Sequence, residues 1–70
     1  MQQFSLGKHD YVDLCDLLKL EGLTESGAQA KIVIDAGEVS VDGHIETRKR
    51  CKIRAQQVVS FAGQTIQVID

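Results

Sequence analysis

The seventy-residue sequence has no tryptophan and no proline, and only one tyrosine and two phenylalanines. A single-strand binder that stacks successive bases on aromatic rings is therefore not expected, and the core must be built from Val, Ile, Leu and Ala. Cysteine is equally scarce. Cys15 and Cys51 sit in apolar contexts without a C-x-x-C spacing, which reads as a pair of buried, reduced thiols and excludes a disulfide scaffold. His9 and His44 are the only histidines. They lie far apart, with no nucleophile and base at useful spacing, and with the two cysteines they offer no zinc-ligand pair. No enzyme activity, metal or cofactor is expected. The N-terminus carries no apolar signal region, and no run is long enough to span a bilayer. A soluble, cytoplasmic, monomeric protein with no membrane partner is the expectation.

What is present is a charge asymmetry. The net charge is only −2, yet Arg48, Lys49, Arg50, Lys52 and Arg54 place five cations in seven residues. The other 63 residues hold three basic side chains against ten acids, a net −7. Such a molecule can dock a polyanion on one face while its acidic back repels other approaches. A run of this kind also has a plain explanation, since Lys and Arg on a strand often serve only to keep it solvated. Five like charges at short spacing nevertheless repel one another unless something binds there.

Along the chain, Phe4 and Leu6 alternate with polar neighbours and predict a short edge strand ending at Gly7. Asp10 reads as the cap of a first helix, with Asp13 in its first turn and Tyr11, Leu14, Cys15 and Leu18 as its apolar stripe. Leu17 widens that stripe, and Lys19 and Gly22 mark its end. A second helix starts at Thr24 or at Ser26, the latter forming a capping box with Gln29. Ala30, Val33 and Ile34 line its inner side up to Gly37, and Gly27, Lys31 and Asp35 fall on the opposite face. Val39 and Val41 lead into Asp42-Gly43, a hairpin signal. A two-residue turn there faces Val39 with Glu46, whereas a three-residue loop faces it with Ile45; the apolar pairing favours the loop. After Thr47, strict alternation projects Arg48, Arg50, Lys52 and Arg54 from one face of an extended strand, with Cys51 and Ile53 inward. Val58, Val59 and Phe61 form the next strand, Ala62-Gly63-Gln64 turns, and Ile66, Val68 and Ile69 close a second hairpin.

The fold class expected is α+β, with two N-terminal helices packed on a small, mainly antiparallel sheet, as a single domain over residues 1–70. The pattern L-x-x-L-L-K-L-x-G-L-x-x-S-G-A-Q-A-K-I-x-I-x-x-G-x-V-x-V-D-G from Leu14 to Gly43, followed by a basic segment, resembles the S-four type RNA-binding domain. That family also includes domains of pseudouridine synthases, tyrosyl-tRNA synthetases and a ribosome-associated heat-shock protein, and the resemblance covers residues 12–61. It implies a non-enzymatic module that holds structured RNA, ribosomal RNA among the candidates, against the second helix and the adjoining hairpin. By the same resemblance Ser26 and Lys31 are polar and basic positions of the RNA-facing helix, and Arg48, Lys49, Arg50 and Lys52 match its basic strand; the charge run itself adds Arg54 to the expected RNA-binding residues. Two departures stand out: Gly27 replaces a frequent Arg, and Ala55-Gln56-Gln57 replaces a Pro-Gly-Asp turn. The rival expectation is an adaptor whose basic strand docks an acidic protein surface.

Overall fold

The computed structural model describes all residues from Met1 to Asp70. The chain runs β1 (Gln2–Ser5), β2 (Val12–Asp13), α1 (Leu14–Leu20), α2 (Gly27–Asp35), β3 (Val39–Val41), β4 (His44–Ile45), β5 (Lys52–Ile53), β6 (Val58–Phe61) and β7 (Gln64–Ile69). Five strands form one sheet in the order β1-β7-β6-β3-β4, while β2 and β5 make a separate two-stranded ribbon. Only the β1–β7 pairing is parallel. The architecture is thus α+β with a mainly antiparallel sheet, and β1 lies at the sheet edge as its alternation suggests. β1 and β2 precede both helices, so the helices are not the first elements of the chain.

The core explains the order. Val41, Val59 and Ile66 stand opposite one another across three strands, and Leu14, Leu17 and Leu18 of α1 with Ala30 and Ile34 of α2 join them in one buried cluster. Each fully buried aliphatic side chain contributes about 1.5–3 kcal/mol relative to exposure. Both helices end with a left-handed glycine. After α1, Gly22 (φ 74°) and Leu23 donate their amides to Lys19 and Leu18 carbonyls. After α2, Gly37 (φ 77°) and Glu38 donate to Ile34 and Val33. These paired bonds satisfy carbonyls that a helix end would otherwise leave unpartnered.

Four sequence expectations are corrected. The first helix does not begin at Asp10: Val12 and Asp13 are extended because they pair with Ile53 and Lys52, and Asp13 makes no side-chain cap. Tyr11 consequently leaves the helical stripe and is 40% exposed. The Asp42-Gly43 hairpin has the two-residue turn, with Val41 opposite His44, Ser40 opposite Ile45, and the Glu46 amide donating to the Val39 carbonyl. Positive φ at both Asp42 (51°) and Gly43 (85°) gives the twist that matches the flanking strands. The Asp42 carboxylate fixes that choice by accepting from the Val58 amide at 2.9 Å and from Gln57 Nε2 at 3.5 Å. Ile45, denied its apolar partner, is left 70% exposed. The second hairpin is tight as well: Phe61 faces Gln64, so Gln64 belongs to the strand. Lastly, the basic run is not one strand, since only Lys52 and Ile53 are extended and paired, while the Cys51 amide donating to the Arg48 carbonyl closes a turn over Arg48–Cys51.

Candidate nucleic-acid interface

The basic segment is anchored by its backbone. The Leu14 amide donates to the Cys51 carbonyl at 2.9 Å and the Cys15 amide to the Lys49 carbonyl at 3.1 Å. The first free amides of α1 are therefore satisfied by the loop itself, which explains why Asp13 need not cap the helix. Ile53 is fully buried in the core, so the loop is held at both its turn and its strand. Arg48, Lys49, Arg50, Lys52 and Arg54 all remain exposed.

Their electrostatic situations differ. Arg48 is gripped by Glu46: Nε donates to Oε2 and Nη2 to Oε1, each at 2.9 Å, and the Arg48 amide adds a third bond to Oε2. This is the one ion pair in the structure. The guanidinium beside it holds the Glu46 carboxyl down at about 2, below its ordinary 4.5, and the carboxylate in turn keeps Arg48 protonated well above its usual range. Cys51 Sγ completes the cluster, 3.6 Å from Glu46 Oε1 and 3.5 Å from Arg48 Nη2. Burial first, and the Glu46 charge second, push its thiol up, which keeps it a thiol rather than a reactive thiolate. The sequence carries a signal for the pair, because residues two apart on an extended chain share a side.

Lys49 and Arg50 occupy the middle of the turn without an acid partner. Lys52 and Arg54 project from the β2–β5 ribbon over Tyr11, with Lys52 Nζ 5.0 Å and Arg54 Cζ 5.7 Å from the ring centroid. Tyr11 was hidden in the sequence by its fit to the helical repeat. Val12, off that repeat yet packed on the core, is the residue that betrays the ribbon.

On α2, Ser26 is the N-cap and its hydroxyl accepts from the Gln29 amide at 3.1 Å. The return bond of the capping box shifts by one residue, as Gln29 Oε1 accepts from the Glu25 amide. Lys31 is half-buried rather than fully solvent-facing. Neither Ser26 nor Lys31 forms a hydrogen bond or ion pair with residues 48–54. His44 lies on β4, whereas His9 lines an open groove of about 830 Å³ with Phe4, Lys8, Asp16 and Leu20. No group of three or more His, Cys, Asp or Glu side chains is placed to hold a metal ion.

The S4 domain model, the S-four type named above, matches residues 4–69. The chain belongs to the S4 domain family. The YbcJ proteins of Escherichia coli (strain K12) and Shigella flexneri are each 70% identical over 69 residues, 99% of this chain and 99% of theirs. The solution structure of E. coli YbcJ, described as revealing an ALFAL motif involved in RNA-binding, superposes with a TM-score of 0.78 at 68% identity. It covers 100% of this chain and 89% of that one. The 30S ribosomal protein S4e of Thermoplasma acidophilum shares the fold alone, with a TM-score of 0.62 at 24% identity over 83% of this chain and 31% of its own.

Proposed function

We propose that this S4 domain is a non-enzymatic RNA-binding module that holds structured RNA by its phosphate backbone. The observation that carries the reading is the set of exposed cations in segment 48–54, of which Lys49, Arg50, Lys52 and Arg54 have no acid within ion-pair distance. Their charge is uncompensated on a molecule that is otherwise net acidic. The close likeness to E. coli YbcJ, whose motif is described as involved in RNA-binding, supports the same assignment. Arg forks and Lys ammonium groups position a backbone without reading bases. The shortage of exposed aromatics favours folded RNA over unpaired strands, and ribosomal RNA helices are the class we assign first. Ser26 and Lys31 on α2 extend the proposed surface as secondary contacts. Two unpaired thiols suit the reducing cytoplasm, where we place the protein.

The test is binding of a ribosomal RNA hairpin by the wild type and by an Arg50→Glu, Lys52→Glu, Arg54→Glu variant, with folding followed by circular dichroism. Expected is salt-dependent binding by the wild type and its loss in the folded variant. Equal binding by both proteins overturns the assignment of this surface.

A further inference from the structure

Within the RNA-binding reading, on which this inference rests, the five cations of the basic run are not equivalent. Arg48 is neutralised by Glu46, held in place and cancelled at once. Lys52 meets a different situation. It stands directly opposite Asp13 in the β2–β5 pairing, where cross-strand side chains are close enough to meet. Yet the two form no ion pair, and the Lys52 ammonium lies 5.0 Å from the Tyr11 ring centroid instead. Continuing the same register by one residue sets Tyr11 against Arg54, whose guanidinium carbon is 5.7 Å from that centroid. The inward residues of the ribbon, Val12 and Ile53, pack in the core and fix it from beneath.

An aromatic ring attracts a cation through its quadrupole and carries no net charge. It can therefore restrain two long side chains without cancelling either. An acid partner restrains and cancels together, as Glu46 does. Lys49 and Arg50, at the centre of the turn, have no comparable restraint and lose more freedom when a ligand immobilises them. We infer that Tyr11 is a positioning residue that presents Lys52 and Arg54 as a preorganised, fully charged clamp for the RNA phosphate backbone. The clamp is the dominant contact of the basic run. Tyr11 touches the cations, and the cations touch the phosphates.

The experiment measures affinity for a structured RNA hairpin across a salt series for Tyr11→Leu, Tyr11→Phe, the pair Lys52→Gln/Arg54→Gln, and the combination of that pair with Tyr11→Leu. Tyr11→Leu should weaken binding about threefold to fivefold with the salt slope unchanged, because no charge is lost. Tyr11→Phe should bind like the wild type. In the Lys52→Gln/Arg54→Gln background, Tyr11→Leu should cost nothing further, an outcome that a general structural role for the ring does not produce. Proton NMR of the free protein adds a direct readout: ring-current shifts at the Lys52 side-chain methylenes, present in the wild type and Tyr11→Phe and lost in Tyr11→Leu. Undiminished binding by Tyr11→Leu, or an equal loss in both backgrounds, overturns the inference. Should Tyr11→Leu fail to fold, Lys52→Gln/Arg54→Gln is compared with Lys49→Gln/Arg50→Gln. A larger loss from the ring-held pair supports the clamp, and equal losses overturn it. A wild type that binds no RNA overturns the proposed function itself, a result distinct from binding that ignores Tyr11.

Discussion

Replacing Glu46 by Gln removes the carboxylate that accepts from Nε and Nη2 of the Arg48 guanidinium and from its backbone amide. The carboxylate occupies the fork that a phosphate would otherwise fill, and with a pKa of about 2 it stays charged at every physiological pH. Four unpaired cations remain in the basic run of the wild type, Lys49, Arg50, Lys52 and Arg54. Each cation that neutralises a phosphate adds about −0.9 to the slope of log affinity against log salt, which gives a wild-type slope of about −3.6. Glu46→Gln frees a fifth cation and steepens the slope to about −4.5. Lowering salt from about 200 to about 50 mM should then strengthen binding about 150-fold in the wild type and about 500-fold in the variant. Fluorescence anisotropy with a labelled RNA hairpin at four salt concentrations resolves the two slopes. Folding stability should move the other way, falling slightly in thermal melts as the loop loses its anchor. An unchanged slope would refute the reasoning, because it would mean that Arg48 faces no phosphate even when released.

The same carboxylate gives a pH dependence with a definite sign. Its folded-state pKa lies below the ordinary 4.5, so its contribution to stability is complete above about 4.5 and is lost as pH falls toward about 2. Melting temperatures of the wild type and Glu46→Gln should converge across that interval; a constant gap down to pH 2 would assign the stabilisation to another group. Asp42→Ala should cost about 1–2 kcal/mol in chemical denaturation, because it removes the acceptor of the Val58 amide and a residue suited to positive φ. A cost under about 0.5 kcal/mol would show that the turn is set elsewhere. Ala62 is exposed at φ 52° in the second hairpin turn, so Ala62→Asn should stabilise by about 0.5–1 kcal/mol. No gain would show that the turn stores little strain.

The buried skeleton was legible in the sequence because its signals are periodic and local. Leu14, Leu17, Leu18, Ala30 and Ile34 declare their helix faces by spacing, and Gly22 and Gly37 declare the ends. The misread features depend on partners distant in the chain. Tyr11 fits a helical repeat until Ile53 pairs with Val12, forty-one positions away. The Asp42-Gly43 register was decided by Val58 and Gln57 rather than by the apolar match of Val39 with Ile45. The site divides in the same way. The order of the residues exposed the run of cations, but that Arg48 is cancelled depends on a two-residue reach to Glu46, and that Lys52 and Arg54 are restrained without being cancelled depends on a cross-strand reach to Tyr11. Alternation failed over residues 48–51 because the Lys49 and Cys51 carbonyls turn to serve the amides of α1 while the Arg48 carbonyl closes the turn.

The surface is tested most directly by backbone amide chemical-shift mapping of the ¹⁵N-labelled protein during titration with a ribosomal RNA hairpin. Saturable shifts concentrated on residues 48–54, extending to the neighbouring Tyr11 and to Ser26 and Lys31 on α2, are expected. Shifts concentrated instead on β1 and the far edge of the sheet, with residues 48–54 unmoved, would contradict the assignment of this basic segment as the RNA-binding surface.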